Sequence, residues 1–165
     1  MIVVSDTSCL SALIQTGQTE LLPQLFGEVI IPEPVFRELQ ALSDFGVDVS
    51  LLSAAPWLKI MKATPNALLS GLLTNLDEGE SHAIALSIEL SAELLIIDER
   101  KGRKMAESLH LTYTGLGGVL LRAKALGLIP HVKEMLDRIE KEAGFFLSTN
   151  ARAVILKAAG EVSDL

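Results

Sequence analysis

Residues 93–107, ELLIIDERKGRKMAE, decide how the rest of the chain is read. Leu94 to Ile97 form an uninterrupted apolar run, too short for a helix and suited to a strand buried on both faces. The run stops at Asp98, and from Arg100 to Leu109 the pattern turns helical. The chain opens the same way: a strand from Ile2 to Ser5, then Asp6, then a helix beginning at Thr7 or Ser8. Strand, acid and helix in succession mark a chain leaving the carboxyl edge of a parallel sheet, where open α/β folds bind their ligands.

Outward from these two stretches the alternation continues. A short helix is expected from Thr19 to Leu25, and a strand from Glu28 to Ile31 closed by Pro32. Pro34 suits the first turn of the next helix, which runs through VFRELQAL and fades near Ser43. WLKIM (57–61) reads as a strand, NALLSGLL (66–73) as a short helix and DEGESHAIALSIEL (77–90) as a longer one. LTYTG (111–115) is a short strand, GVLLRAKALGLI (118–129) a helix ending near Gly127, and two more helices follow, separated at residues 144–150. The reading is one α/β domain over residues 1–165, with its core in residues 1–125 and a C-terminal helical extension in residues 126–165.

Composition narrows the function. Hydrophobic residues are 49% of the chain and charged residues 21%, enough apolar content for a packed core and against disorder. Mean hydropathy is +0.40, yet no apolar run approaches the length of a membrane span. The opening MIVVSDTSCL has no basic segment and reaches an acid at once, so it does not read as a signal peptide. A single cysteine, Cys9, excludes an internal disulfide framework and a cysteine-rich zinc site, and suits a reducing cytoplasm. The net charge of −7 argues against a basic field for non-specific nucleic-acid binding and leaves open a local acidic cluster that binds metal.

Four acids stand at four element ends. Asp6 and Asp98 follow strands; each either caps the next helix or faces a ligand beyond the sheet. Glu38 falls at the edge of the stripe Val35, Leu39 and Leu42, where it pairs with a base such as Arg37 or with a cation. Glu80 continues into Ile84 and Ile88 at four-residue steps, while Asp77 as N-cap with Glu80 three residues on also makes a capping box. Asp77, Glu78 and Glu80 all remain candidates for the fourth acid. The histidines His82, His110 and His131 lack metal-ligand spacing, and Gly115, Gly117 and Gly118 read as close packing more than as a phosphate loop. Position 8 is Ser, so the first strand lacks the Asp-x-Asp of a phosphate-ester hydrolase on a similar sheet. Leu21, Leu22, Leu25, Val154, Ile155 and Leu156 exceed what one small core is expected to bury, which points to a homodimer.

Taken in order, VVSDTS, GEVIIPEPVFREL, GESHAIAL and ELLIIDERKGRKMAE resemble the PIN-domain family of metal-dependent nucleases. They are most similar to the prokaryotic VapC-like ribonuclease branch with an extended C-terminus, where AGFFLS (143–148) also fits. The resemblance implies a three-layer fold with strand order 3-2-1-4-5, placing Asp6 and Asp98 on adjacent strands. It implies a metal-dependent endoribonuclease in which Asp6, Glu38, Glu80 and Asp98 hold Mg²⁺ or Mn²⁺, supported by Thr7 and Ser8. Glu80 stands where many members carry aspartate. Hard carboxylate oxygens suit these cations, and the cations suit phosphodiester hydrolysis. Arg100, Lys101, Arg103 and Lys104 meet the RNA backbone or form a solvated helix face. Further implied are a cytoplasmic location and a small antitoxin partner; the alternative function is a non-catalytic PIN-fold module that binds protein or RNA.

Overall fold

In the computed structural model, which describes residues 1–161, the alternation resolves into a five-stranded sheet wrapped by helices. Strand β1 (Val3–Ser5) leads into α1 (Thr7–Gln15) and α2 (Leu21–Phe26). Strand β2 (Val29–Pro32) leads into α3 (Glu33–Gln40), a 3-10 turn at Ala41–Phe45 and α4 (Leu51–Ala54). Strand β3 (Leu58–Met61) is followed by α5 (Ala67–Leu73) and α6 (Glu78–Glu89), and β4 (Leu94–Ile96) by α7 (Arg100–Ser108). Strand β5 (Tyr113–Thr114) is followed by α8 (Leu116–Ala125), α9 (Val132–Ala143) and α10 (Thr149–Ala158).

The sheet order is β3-β2-β1-β4-β5 and every pairing is parallel, the order that the family resemblance implies. Parallel strands need helical crossovers, so helices cover both faces, and β1, β2 and β4 are buried on both. Val3, Val29, Ile31, Leu94 and Ile96 pack into one buried cluster with α1, α8 and α9. Val4, Ile30, Leu95 and Ile97 pack into the other with α5 and α6. This explains why Leu94 to Ile97 is continuous rather than alternating. Cys9 is a buried apolar filler in the first cluster.

Boundaries shift for local reasons. The second helix begins at Leu21 because residues 18–20 are spent on turn bonds, with Leu21 N–H donating to Gln18 O and Leu22 N–H to Thr19 O. Pro32 lies inside β2 rather than after it, as its last residue opposite Met61, where a missing donor costs least. The apolar surplus expected to drive self-association is largely taken up by the chain itself. Leu21 and Leu22 are buried, Leu25, Ile155 and Leu156 pack half-buried against the first cluster, and only Val154 of the six is exposed, at 68%. Among the described residues no helix is long and apolar enough to cross a membrane.

Candidate active site

The register Val3↔Leu94, Val4↔Leu95, Ser5↔Ile96 brings the ends of β1 and β4 side by side. Asp6 extends the pairing by one residue, its N–H donating to Ile96 O at 2.9 Å, and its side chain is 5% exposed. It stands at the N-cap of α1 without a side-chain cap hydrogen bond. Asp98 does cap a helix, though not the one that follows it. Its Oδ1 accepts from Leu116 N–H, the first amide of α8, at 2.9 Å. Its Oδ2 is buried and has no hydrogen-bond partner.

Glu38 comes from α3. Its carboxylate accepts the Thr7 hydroxyl, which joins the first turn of α1 to α3. Arg37 turns away to Glu78 at 2.9 Å, so the Glu38–Arg37 pairing left open by the sequence does not form. Asp6 and Glu38 meet over Gly79 in the first turn of α6. A Cβ there would stand 2.8 Å from Glu38 Oε1 and 3.1 Å from Asp6 Oδ1. Ser8 is half-buried and, among the described residues, donates to none of the four acids.

Glu80 lies one residue beyond that glycine. Asp77 Oδ1 accepts Glu80 N–H at 2.8 Å, so the N-cap read from the sequence exists. The cap frees the Glu80 side chain to turn inward, where it is 5% exposed and its Oε2 is buried without a partner. Asp77 and Glu78 are exposed, so of the three acids only Glu80 is buried. Gly102 in α7 makes room for it: a Cβ there would stand 2.6 Å from Glu80 Oε2. Gly115 does the same for Asp98, 2.5 Å from Oδ1. Three glycines thus each admit a different part of the carboxylate cluster.

Crowding and burial raise the proton affinity of all four acids. Burial, partly offset by the Thr7 amide, and the nearby Asp77, Glu38 and Asp98 carboxylates bring Asp6 from 3.8 to about 7. Burial and the neighbouring Asp77, Asp6 and Glu99 bring Glu80 from 4.5 to about 8. Burial also raises Glu38 and Asp98, opposed at Glu38 by the Thr7 hydroxyl and Arg37, and at Asp98 by the Leu116 amide and Arg103. Like charges held together with partnerless oxygens fit a divalent cation, and an all-carboxylate donor set fits a hard one. Among the described residues no three such side chains stand close enough, as they lie, to enclose a metal.

The basic run on α7 divides. Arg100, Lys101 and Lys104 are exposed. Arg103, also exposed, lies over the Tyr113 ring, 5.3 Å from its centroid, beside a cleft that Asp98 also lines. The sequence reading missed Tyr113, Gly79 and Gly102. Gly79 and Gly102 each sit beside charged residues in a helix's first turn, a position where an unforced glycine is a signal. Gly117 and Gly118 serve close packing as expected: Cβ atoms there would collide with Ile155 and with the Thr114 hydroxyl.

Residues 2–161 match a family model, DUF3368, described as a PIN domain. The chain belongs to the PIN-domain family. The match is to the family and singles out no branch of it. Among solved structures, the chain is similar to a PilT N-terminus domain protein, SSO1118, from the hyperthermophilic archaeon Sulfolobus solfataricus P2. That likeness has 19% identity and a TM-score of 0.48, covering 72% of this chain and 90% of that one. Among curated proteins nothing matches. PIN domains are generally metal-dependent nucleases, so this chain carries a nuclease fold.

Proposed function

We propose that this PIN domain hydrolyses RNA phosphodiester bonds as an endoribonuclease dependent on Mg²⁺ or Mn²⁺. The observation that carries the reading is the pair of buried, partnerless oxygens, Glu80 Oε2 and Asp98 Oδ2, within a group of four acids none of which forms a salt bridge among the described residues. Burying such a group unpaired costs on the order of 1–3 kcal/mol or more, which a ligand must justify. Asp6 and Asp98, fixed to adjacent strand ends, form the rigid half of the ligand set; Glu38 and Glu80, on helices, form the adjustable half. Asp6, Glu38, Glu80 and Asp98 would hold the divalent cation, which would supply Lewis-acid polarisation of a phosphodiester oxygen and a more acidic water. Thr7 holds the Glu38 carboxylate toward the centre. Arg100, Lys101 and Lys104 are free to meet phosphates on either side of the scissile bond. A small antitoxin partner that holds the enzyme inactive in the cytoplasm, and a homodimer, extend the same reading from the family resemblance.

The test is cleavage of single-stranded RNA by the purified chain. Cleavage is expected with Mn²⁺ or Mg²⁺ and is expected to vanish in EDTA; cleavage undiminished in EDTA overturns the metal mechanism. A second expectation concerns Gly79. Gly79→Ala places a methyl where the Glu38 carboxylate stands and moves it aside, and a displacement near 1 Å at such a centre costs about 10²-fold in rate. The variant is expected to fold and to cleave poorly, and a rate within twofold of wild type would remove Glu38 from the centre.

A further inference from the structure

The cleft that Asp98 shares with Arg103 is built for something other than a phosphate. It encloses about 370 Å³ between α7, β5, α8 and α10, within the roughly 300–1,000 Å³ of small-molecule pockets. Its walls are of two kinds. On one side the Arg103 guanidinium lies over Tyr113, a planar, weakly hydrated surface on which a flat ring stacks. On the other side α10 presents Val154, a β-branched residue left 68% exposed, beside the half-buried Ile155. Gly117 and Gly118 line the cleft as well, with Ile155 and the Thr114 hydroxyl packed against their backbone. At the rim stands the Asn150 amide, which both donates and accepts hydrogen bonds.

We infer that this cleft is a nucleobase pocket, holding a base next to the scissile phosphate and setting which nucleotide is cleaved. The inference rests on the nuclease reading for its purpose, and on the cleft for its chemistry. A free phosphate does not suit it, because the Asp98 carboxylate repels an anion and the walls are largely apolar. An unstacked base offers what the cleft lacks: a flat face for Arg103, an apolar edge for Val154 and a polar edge for Asn150. Because Asp98 belongs to both cleft and acid cluster, a base seated here brings its own phosphate to the carboxylates. Arg103 thereby becomes a base-stacking residue rather than a backbone contact like its neighbours on α7. The C-terminal helix α10 becomes a wall of the substrate site.

The experiment uses uncharged nucleosides, so that it needs neither metal nor turnover. Amide spectra of the chain in EDTA are recorded against adenosine, guanosine, cytidine, uridine and ribose. At least one nucleoside is expected to shift the Gly117, Gly118 and Asn150 amides saturably at millimolar concentration, and ribose is expected to leave them in place. Ala151→Trp, which fills the cleft from α10 and replaces none of the four acids, is expected to abolish those shifts while leaving amides remote from the cleft in place. Asn150→Ala is expected to weaken the best nucleoside about three- to tenfold, the worth of one neutral hydrogen bond. With Mn²⁺ and a randomised single-stranded RNA pool, the wild type is expected to prefer one base beside the cut and Ala151→Trp to lose that preference. Absence of saturable shifts, or equal shifts from ribose, overturns the pocket. A response to N-acetyl-argininamide without one to any nucleoside also overturns it, and marks the cleft as a seat for a protein segment. Nucleoside shifts without RNA cleavage support the pocket and retire the nuclease; cleavage without nucleoside shifts does the reverse.

Discussion

Asp98→Asn is expected to cut metal-dependent RNA cleavage by about 10²–10³-fold while making the metal-free protein more stable. The amide keeps the oxygen that accepts the Leu116 N–H, so α8 stays capped and the fold is not disturbed. It removes one negative charge from a buried site whose second oxygen has no partner. Two like charges at about 4 Å repel by about 1 to 4 kcal/mol, depending on the effective dielectric, and the repulsion falls with separation. Relief of about 1 kcal/mol raises the melting temperature by about 2–4 °C in a chain of this size. Asp6→Asn is expected to behave alike, because its carboxylate is buried beside Glu38. Activity and melting temperature measured together in EDTA and in Mn²⁺, at pH 8, separate the cluster from incidental caps. Two variants that cleave at the wild-type rate, or that melt below wild type in EDTA, would remove these acids from the centre.

The second large effect is on stability against pH. In the fold Asp6 holds its proton to about pH 7 and Glu80 to about pH 8, against ordinary values of 3.8 and 4.5. The folded state therefore binds more protons than the unfolded chain across this window, and metal-free stability falls as pH rises from about 4.5 to 8. The limiting slope is about 1.4 kcal/mol per pH unit for each group protonated in the fold and ionised outside it. Even a partial effect amounts to a few kcal/mol, or roughly 10 °C between pH 5 and pH 8. Glu161 acts with the opposite sign but elsewhere. Although burial pushes it up, the Lys124 ammonium and the Val132 and Lys133 amides draw it down from 4.5 to about 2. Its stabilisation is complete above pH 4.5 and is lost only below it. Mn²⁺ at a hundredfold excess over Kd is expected to return about 2.7 kcal/mol, more at pH 8 than at pH 5, where protons compete for the carboxylates. Melting curves in EDTA and Mn²⁺ at the two pH values check both signs, and a metal-free melting temperature that rises from pH 5 to pH 8 refutes the buried cluster.

The alternation of strands and helices was legible because β1, β2 and β4 are brief apolar runs stopped by an acid or a proline, while the strand order 3-2-1-4-5 came from the family resemblance. Asp6 and Asp98 were legible for the same reason: a strand's end is a place in space as well as in sequence. The sequence did not reveal partnerships that depend on which loops converge. Thr7 meets Glu38 across 31 residues, Arg37 meets Glu78 across 41, and Asp98 caps α8 rather than its own α7. Periodicity reports which side of a helix faces inward and is silent on what waits there. Arg103 shows the limit best: it shares a basic run with Arg100, Lys101 and Lys104, and only the position of Tyr113 on the neighbouring strand sets it apart.

Gly79 and Gly102 sit inside helices with ordinary backbone angles, so nothing in the conformation of the chain demands glycine at either place. Each forgoes roughly 0.5–1 kcal/mol of helix stability relative to alanine. A screen for thermostability would favour replacing both, and a screen for activity would restore them. On the nuclease reading, the two positions set durability against chemistry. The same conflict offers a way to sort its relatives: where the glycines have given way to larger residues, the carboxylates they admit must stand elsewhere or have ceased to matter.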